Sequence, residues 1–304
     1  MRQIFPPDVA HAEIGPAEFD PGGPGETGQA APAPVMALAG LYAYPAGEAL
    51  DRPWLRANMV VSVDGAASLA GRSRGLSGPA DRLLFSVLRS LADVILVGAA
   101  TARAERYRPA AGRAIWPVLR VGRAPTPPIA VVTRELNLDP DSPLIALAPG
   151  GSRTIVLTTA AAPDRRRAAV ARHADVVVAG QDSLTPAAVI GALAERGYRR
   201  VLTEGGPNLL GQLSAAGLLD ELCLTISPLL EGGWAGRILT VPDGAGGPGS
   251  AGGAVDAGDA ATAGTPWAAA RLRLAHVLED HGTLLCRYLR DAGGDADYSL
   301  TETE

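Results

Sequence analysis

The run Arg200-Val201-Leu202 passes directly into Thr203-Glu204-Gly205-Gly206-Pro207-Asn208-Leu209-Leu210-Gly211. A strand that meets two glycines and then a proline must leave its sheet there. Glycine supplies the backbone freedom for a sharp turn, and proline fits best as the first residue of a helix, where its missing N–H costs nothing. Leu209, Leu210, Leu213 and Leu218 continue as the apolar side of that helix. Strand, glycine turn and helix in this order is the repeating unit of parallel sheets. The turn also suits a ligand. Glycines admit a close backbone approach, and a helix start turns free N–H groups and the positive dipole end toward an anion such as phosphate. Glu204 sits beside it, and a pure phosphate cradle would not want a carboxylate. The combination suggests one ligand with phosphate and a second with hydrogen-bond donors.

The same alternation runs along the chain. Residues 55–63, 93–97, 129–133, 154–157, 175–178, 200–203 and 221–226 are short apolar, β-branched runs that read as strands. Helical patterns intervene at 79–91, 163–172, 186–196 and 207–216. In the first, Leu83, Leu84, Val87, Leu88 and Leu91 share one face behind Pro79; in the third, Thr185 can cap, Pro186 opens and Gly197 closes. This predicts an α/β fold with a mostly parallel central sheet flanked by helices on both faces. The end differs: 271–278 and 283–289 flank Glu279-Asp280-His281-Gly282, which reads as the turn of an antiparallel hairpin. Residues 15–34 are a Gly-, Pro- and Ala-rich lead-in, 243–266 a low-complexity insertion, and 292–304 an acidic tail. The expected layout is an N-terminal extension over 1–50, partly flexible, and a single domain over 51–291.

A net charge of −5 gives no electrostatic footprint for nucleic acid or an anionic membrane. All 27 basic residues are arginine, which reads as the codon usage of a GC-rich genome. Cys223 and Cys286 lie in apolar runs and read as buried, reduced thiols. The start of the chain lacks a signal-peptide pattern and no apolar run approaches ~20 residues, so a cytoplasmic protein is expected.

Several strand ends could bind a ligand. Ser62-Val63-Asp64-Gly65 closes the first strand, where ligands usually meet open α/β sheets, although Asp-Gly is also a common turn pair. Gly98-Ala99-Ala100-Thr101 is a small-residue turn ending in a hydroxyl, and Thr133 ends the next strand in the same way. Arginines crowd 74–113 at Arg74, Arg82, Arg89, Arg103, Arg106, Arg108 and Arg113. Their ordinary role is a solvated face, but a phosphorylated substrate would want one or two of them. His11-Ala12-Glu13 resembles half of a zinc-deaminase signature, but its Pro-Cys-x-x-Cys half is missing, so that site is rejected. His173, His276 and His281 have no companion at metal-ligand spacing, so no metal site is expected. No nucleophile elbow, Walker loop or Gly-x-Gly-x-x-Gly occurs, which favours chemistry carried by a cofactor.

The ordered set Asn58-Met59-Val60-Val61-Ser62-Val63-Asp64-Gly65, Val97-Gly98-Ala99-Ala100-Thr101, Glu204-Gly205-Gly206-Pro207 and Leu218-Leu219-Asp220-Glu221-Leu222, followed by Pro228 and Gly232-Gly233, resembles the riboflavin-pathway pyrimidine reductases. These form the reductase half of a bifunctional deaminase–reductase and share the dihydrofolate reductase-like fold. The resemblance spans about Leu55 to Leu289. It implies that NADPH reduces 5-amino-6-(5-phosphoribosylamino)uracil to its ribitylamino product by hydride delivery to C1′ of the open-chain imine. It further implies that Val60, Gly98, Thr101, Glu105, Thr133, Gly205, Gly206, Pro207, Asn208 and Leu209 line the cofactor. Ser73, Arg89 and Glu204 would face the substrate, and Asp64 would act beside the reacting ring. Where the family often has Asp-Asp-Pro, this chain has Glu105-Arg106-Tyr107, and the usual phosphate arginine has two candidates, Arg108 and Arg113. A related reductase acting on a pterin such as dihydrofolate, and a dinucleotide-binding regulator without turnover, are the alternatives. A homodimer is expected by analogy.

Overall fold

The alternation of strands and helices is realised throughout. The computed structural model describes residues 1–5, 33–45, 52–113, 116–240 and 270–291. In chain order the elements are β1 (Arg2–Phe5), α1 (Ala33–Leu41), β2 (Trp54–Ser62), α2 (Pro79–Leu91), β3 (Val94–Gly98), α3 (Ala99–Ala104), α4 (Trp116–Leu119), β4 (Ile129–Val132), α5 (Pro143–Ala146), β5 (Ile155–Thr159), α6 (Asp164–Ala171), β6 (Asp175–Gly180), α7 (Pro186–Glu195), β7 (Arg200–Thr203), α8 (Pro207–Ala215), β8 (Glu221–Ser227), β9 (Leu272–Asp280) and β10 (Thr283–Arg290).

Among the described residues one sheet holds ten strands in the order β1-β9-β10-β8-β2-β7-β3-β4-β5-β6. From β8 to β6 every pairing is parallel; β8–β10, β10–β9 and β9–β1 are antiparallel. The parallel strands read as unbroken apolar runs because helices cover both of their faces. On one face Leu55, Ala57, Leu96, Ala130 and Leu157 pack against Val189 and Leu193 of α7 and Leu209, Leu210 and Leu213 of α8. On the other, Ile95, Val97, Ile129, Val131 and Leu202 pack against Leu84, Val87 and Leu88 of α2. Thr185 caps α7 as its sequence foretells, its hydroxyl oxygen accepting from the Ala188 N–H at 3.2 Å.

The hairpin is tighter than the sequence suggests. His281 (φ +49°) and Gly282 (φ +82°) alone make the turn, with both residues at positive φ as a two-residue hairpin requires. Glu279 and Asp280 stay in β9, paired with Leu284 and Thr283. At the N-terminus β1 pairs with β9, and Val35, Leu38 and Tyr42 of the α1 region join the core beside α2. Most of the lead-in, the 243–266 insertion, the acidic tail and His11-Ala12-Glu13 lie outside the described residues. Among the described residues no helix is long and apolar enough to cross a membrane, and no cluster of His, Cys, Asp or Glu could hold a metal. Cys223 and Cys286 are buried free thiols.

A buried ion cluster joins the parallel and antiparallel parts of the sheet. Arg56 on β2 and Glu221 on β8 are register partners, and both side chains are 0% exposed. Arg56 Nε lies 2.8 Å from Glu221 Oε1, and Arg56 Nη2 donates to Glu221 Oε2 at 3.0 Å and to the Tyr42 carbonyl at 2.7 Å. Arg287 on β10 donates to the same carboxylate from Nε at 2.8 Å and Nη2 at 3.2 Å, while its Nη1 reaches the Leu41 carbonyl at 2.5 Å. Trp54 Nε1 adds a bond at 3.0 Å. Burial would raise the pKa of Glu221, but the two guanidiniums outweigh it and hold the group below the usual carboxylate range. Glu221→Gln therefore strands two arginines, one of them fully buried, and should cost about 3–5 kcal/mol in urea unfolding.

His276 packs edge-on against Tyr42 at 4.7 Å, and burial followed by the charge of Arg287 lowers its pKa from 6.5 to about 4. The folded chain thus refuses a proton that the unfolded chain accepts. The associated stability is complete above pH 6.5 and is lost as the pH falls toward 4. His276→Phe should flatten the stability profile in that window relative to the parent, as followed by thermal melts across pH.

Candidate functional site

The turn between β7 and α8 is locked to the turn between β3 and α3. The Gly98 N–H donates to the Gly205 carbonyl at 2.9 Å. Gly205 has φ +86°, and a Cβ there would lie 2.9 Å from Met59 Cε. A Cβ on Gly206 would lie 2.2 Å from Thr101 Oγ1. The glycines therefore answer first to protein neighbours, and by doing so they bring two strand-end turns side by side. The Gly205–Gly206 peptide is cis. No side chain caps α8, and its first residue, Pro207, has no N–H; the amides of Asn208 and Leu209 open the helix. The Asn208 side-chain oxygen accepts from the Thr240 hydroxyl, and the Thr240 N–H donates to the Pro207 carbonyl at 3.1 Å.

Glu204 and Arg89 meet each other. Arg89 Nε and Nη2 each donate to one carboxylate oxygen of Glu204 at 2.7 Å, a bidentate pair. The Tyr107 hydroxyl donates to Glu204 Oε2 at 2.6 Å. The Glu204 side chain is 2% exposed and that of Arg89 17%. The guanidinium also lies over the Phe85 ring at 4.2 Å. Desolvation by burial would lower the Arg89 pKa, but Glu204 raises it above its ordinary value, so the cation is firmly held. Burial and then the Glu204 charge push the Tyr107 hydroxyl well above its ordinary range, which keeps it a donor. Glu204 does not cap α8, because its oxygens go to Arg89 and Tyr107.

Asp64 lies at the end of β2, in a turn where Gly65 has φ +87°. Its carboxylate accepts from the Ser62 hydroxyl and from the backbone N–H groups of Gly232 at 2.8 Å and Glu231 at 3.2 Å. The Ser62 bond and then these amides lower its pKa to about 2. Asp64 thus anchors the 229–233 loop beside the strand end. Two further expected residues also meet: the Ser73 N–H donates to Glu105 Oε1 at 2.9 Å, tying the 73–75 turn to the end of α3. Thr133 is buried just past β4, and Val60 is half-buried on β2. Arg108 is exposed and Arg113 half-buried on the segment after α3.

Two polar groups here went unread in the sequence. Tyr107 stands where the segment departs from the family pattern, and nothing local marks it as a partner of Glu204. Asp81, an acid in the first turn of α2 on which the sequence pattern is silent, is 5% exposed and bonded to Thr225 of β8.

Residues 53–247 match the model of the RibD C-terminal domain. The chain is 31% identical over 196 residues to the 2,5-diamino-6-ribosylamino-4(3H)-pyrimidinone 5′-phosphate reductase of Methanothermobacter thermautotrophicus, covering 64% of this chain and 86% of that protein. It is 30% identical over 186 residues to the reductase of the same name from Archaeoglobus fulgidus, covering 60% and 83%. Among solved structures, a pyrimidine reductase-like protein from Corynebacterium diphtheriae superposes with a TM-score of 0.67 at 25% identity, covering 84% of this chain and 99% of that one.

The close approach of the two turns is testable. Gly206→Ala forces a Cβ onto Thr101 Oγ1 and should cost about 1–3 kcal/mol. Adding Thr101→Ala removes that oxygen and should restore most of the loss, so chemical unfolding of the four members of the cycle should show strong coupling.

Proposed function

From the premise that this chain belongs to the RibD C-terminal domain family, we propose that it reduces 5-amino-6-(5-phosphoribosylamino)uracil, or the diaminopyrimidinone counterpart named for the archaeal relatives, with NADPH. The chain is a pyrimidine reductase of the riboflavin-pathway type. The observation that carries the finer reading is the pairing of an uncapped helix start with a fixed carboxylate at one strand end. A dinucleotide fits this place: the amides that open α8 suit its phosphates, and Gly98, Thr101, Gly205 and Gly206 offer small or hydroxyl-bearing backbone along its path. Val60, Glu105, Thr133, Pro207, Asn208 and Leu209 complete the proposed lining. Bound there, NADPH would supply the hydride.

The remaining work falls to side chains of this protein. Glu204 Oε1 receives one bond from Arg89, which leaves it a lone pair for an N–H donor of the pyrimidine. Arg89 and Tyr107 hold that oxygen in place, so no reorganisation is needed when the substrate arrives. Because Arg89 is committed to Glu204 through two nitrogens, the substrate phosphate falls mainly to Arg108 or Arg113, with Ser73 beside them. Asp64 fixes the loop next to the reacting ring. We place the enzyme in the cytoplasm as a homodimer.

NADPH oxidation followed optically tests this reading with both phosphoribosylamino-pyrimidines and dihydrofolate offered side by side. Turnover of a phosphoribosylamino-pyrimidine is expected, and turnover of none would overturn the proposal. Glu204→Gln should lower kcat/KM about 10–100-fold while leaving the NADPH Kd nearly unchanged. Equal loss of both would remove Glu204 from the substrate side.

A further inference from the structure

The Arg56–Glu221–Arg287 cluster beneath the end of α1 holds donors that it does not use. Arg56 Nη1 and the hydroxyls of Tyr42 and Tyr44 are buried and have no hydrogen-bond partner among the described residues. Arg56 and Tyr42 are 0% exposed and Tyr44 7%. The Arg56 guanidinium lies over the Tyr44 ring, 3.9 Å from its centroid, and its Nη2 holds the Tyr42 carbonyl at 2.7 Å. Both hydroxyls lie in the field of the same groups, Arg56, Glu221 and Cys223. Donors gathered in this way out of water are costly unless an acceptor joins them.

The acceptors of the cluster are already taken. Glu221 Oε2 receives Trp54, Arg56 and Arg287, while Oε1 receives Arg287 and faces Arg56 Nε. The Leu41, Tyr42 and Ala43 carbonyls are bonded to the same two guanidiniums. Asn58 Oδ1, two residues further along β2, also lacks a partner, so Arg56 does not reach it. The charges do not balance either. Two guanidiniums face one carboxylate, His276 stays neutral down to about pH 4, and burial keeps the Tyr42, Tyr44 and Cys223 protons in place. Beyond Tyr44, Asp93 and Arg123 pair with each other at 3.6 Å and add no net charge. The carbonyl dipoles at the end of α1 offset the surplus only in part. A water molecule would satisfy the donors and leave the charge; an anion answers both.

We propose that this cluster binds a small monovalent anion of the halide class, held by Arg56 Nη1 and the hydroxyls of Tyr42 and Tyr44. One negative charge balances the surplus guanidinium, and three idle donors become its ligands. Glu221 is the first residue of β8, whereas the substrate is placed at the opposite, C-terminal ends of the strands. The ion therefore takes no part in hydride transfer. It fastens the end of α1, through Tyr42 and Tyr44, to the junction of β2 and β8.

The test melts the full-length protein, dialysed free of halide, in sodium chloride, sodium bromide and sodium sulfate at equal, low ionic strength. Chloride and bromide should each raise the melting temperature by roughly 3–6 °C over sulfate, with the rise saturating as one site fills. Generic salt effects run the other way, because sulfate is the more strongly excluded ion. The double variant Tyr42→Phe/Tyr44→Phe keeps both rings and removes both hydroxyls, and it should weaken the halide midpoint at least about tenfold. A crystal grown in bromide should show an anomalous peak beside Arg56 Nη1. Equal melting in chloride and sulfate, a halide response that survives in the double variant, or water alone beside Arg56 in the bromide crystal would each overturn the assignment. The melts and the crystal of the parent decide the matter even if the double variant does not fold.

Discussion

The carboxylate of Glu221, shared by Arg56 and Arg287, is the junction on which the sheet depends. β8 is the strand where parallel pairing changes to antiparallel, and Glu221 is its first residue. Arg56 comes from the parallel side and Arg287 from the hairpin, and Arg56 Nη2 and Arg287 Nη1 also bond the Tyr42 and Leu41 carbonyls at the end of α1. One buried acid therefore fixes β2, β8, β10 and α1 together. Charges removed from water in this way are tolerable only when all are paired, which makes the arrangement demanding of geometry. That demand sets the register of β2 against β8, and with it the level of Asp64, Val60 and Thr225.

The strand ends that register aligns are held by small-residue contacts and by a second acid–arginine pair. Thr101 occupies the space a side chain on Gly206 would need, and Gly98 bonds to Gly205. The result is a continuous line of turns along the C-terminal ends of β2, β7 and β3. Across it lies α2, with an acid at one end and an arginine committed to Glu204 at the other. Arg89 thus serves mainly to hold Glu204.

Much of the fold was legible because burial on both faces makes parallel strands apolar throughout, and because Pro79, Pro186 and Pro207 mark their helix starts. α1 was not, since Ala33-Pro34-Val35-Met36-Ala37-Leu38-Ala39-Gly40-Leu41 is apolar on all sides and shows no helical stripe. The hairpin turn was set two residues too wide because Glu279 and Asp280 are turn-like in composition yet sit at paired positions. In the site, the glycines and hydroxyls at strand ends carried a local signal. The Arg89–Glu204 bond did not, because its partners are 115 residues apart and each alone resembles a ligand-binding charge. Asp81 was hidden for a related reason: an acid in the first turn of a helix has an ordinary explanation, and only its burial against Thr225 removes it.

The most direct measurement is a crystal structure of the protein with NADP⁺ and the ribitylamino product. The account predicts the cofactor phosphates against the start of α8 and the pyrimidine ring against Glu204, with the ribityl phosphate near Arg108 or Arg113. A dinucleotide bound away from Gly205 and Gly206, or a ring that does not touch Glu204, would contradict it.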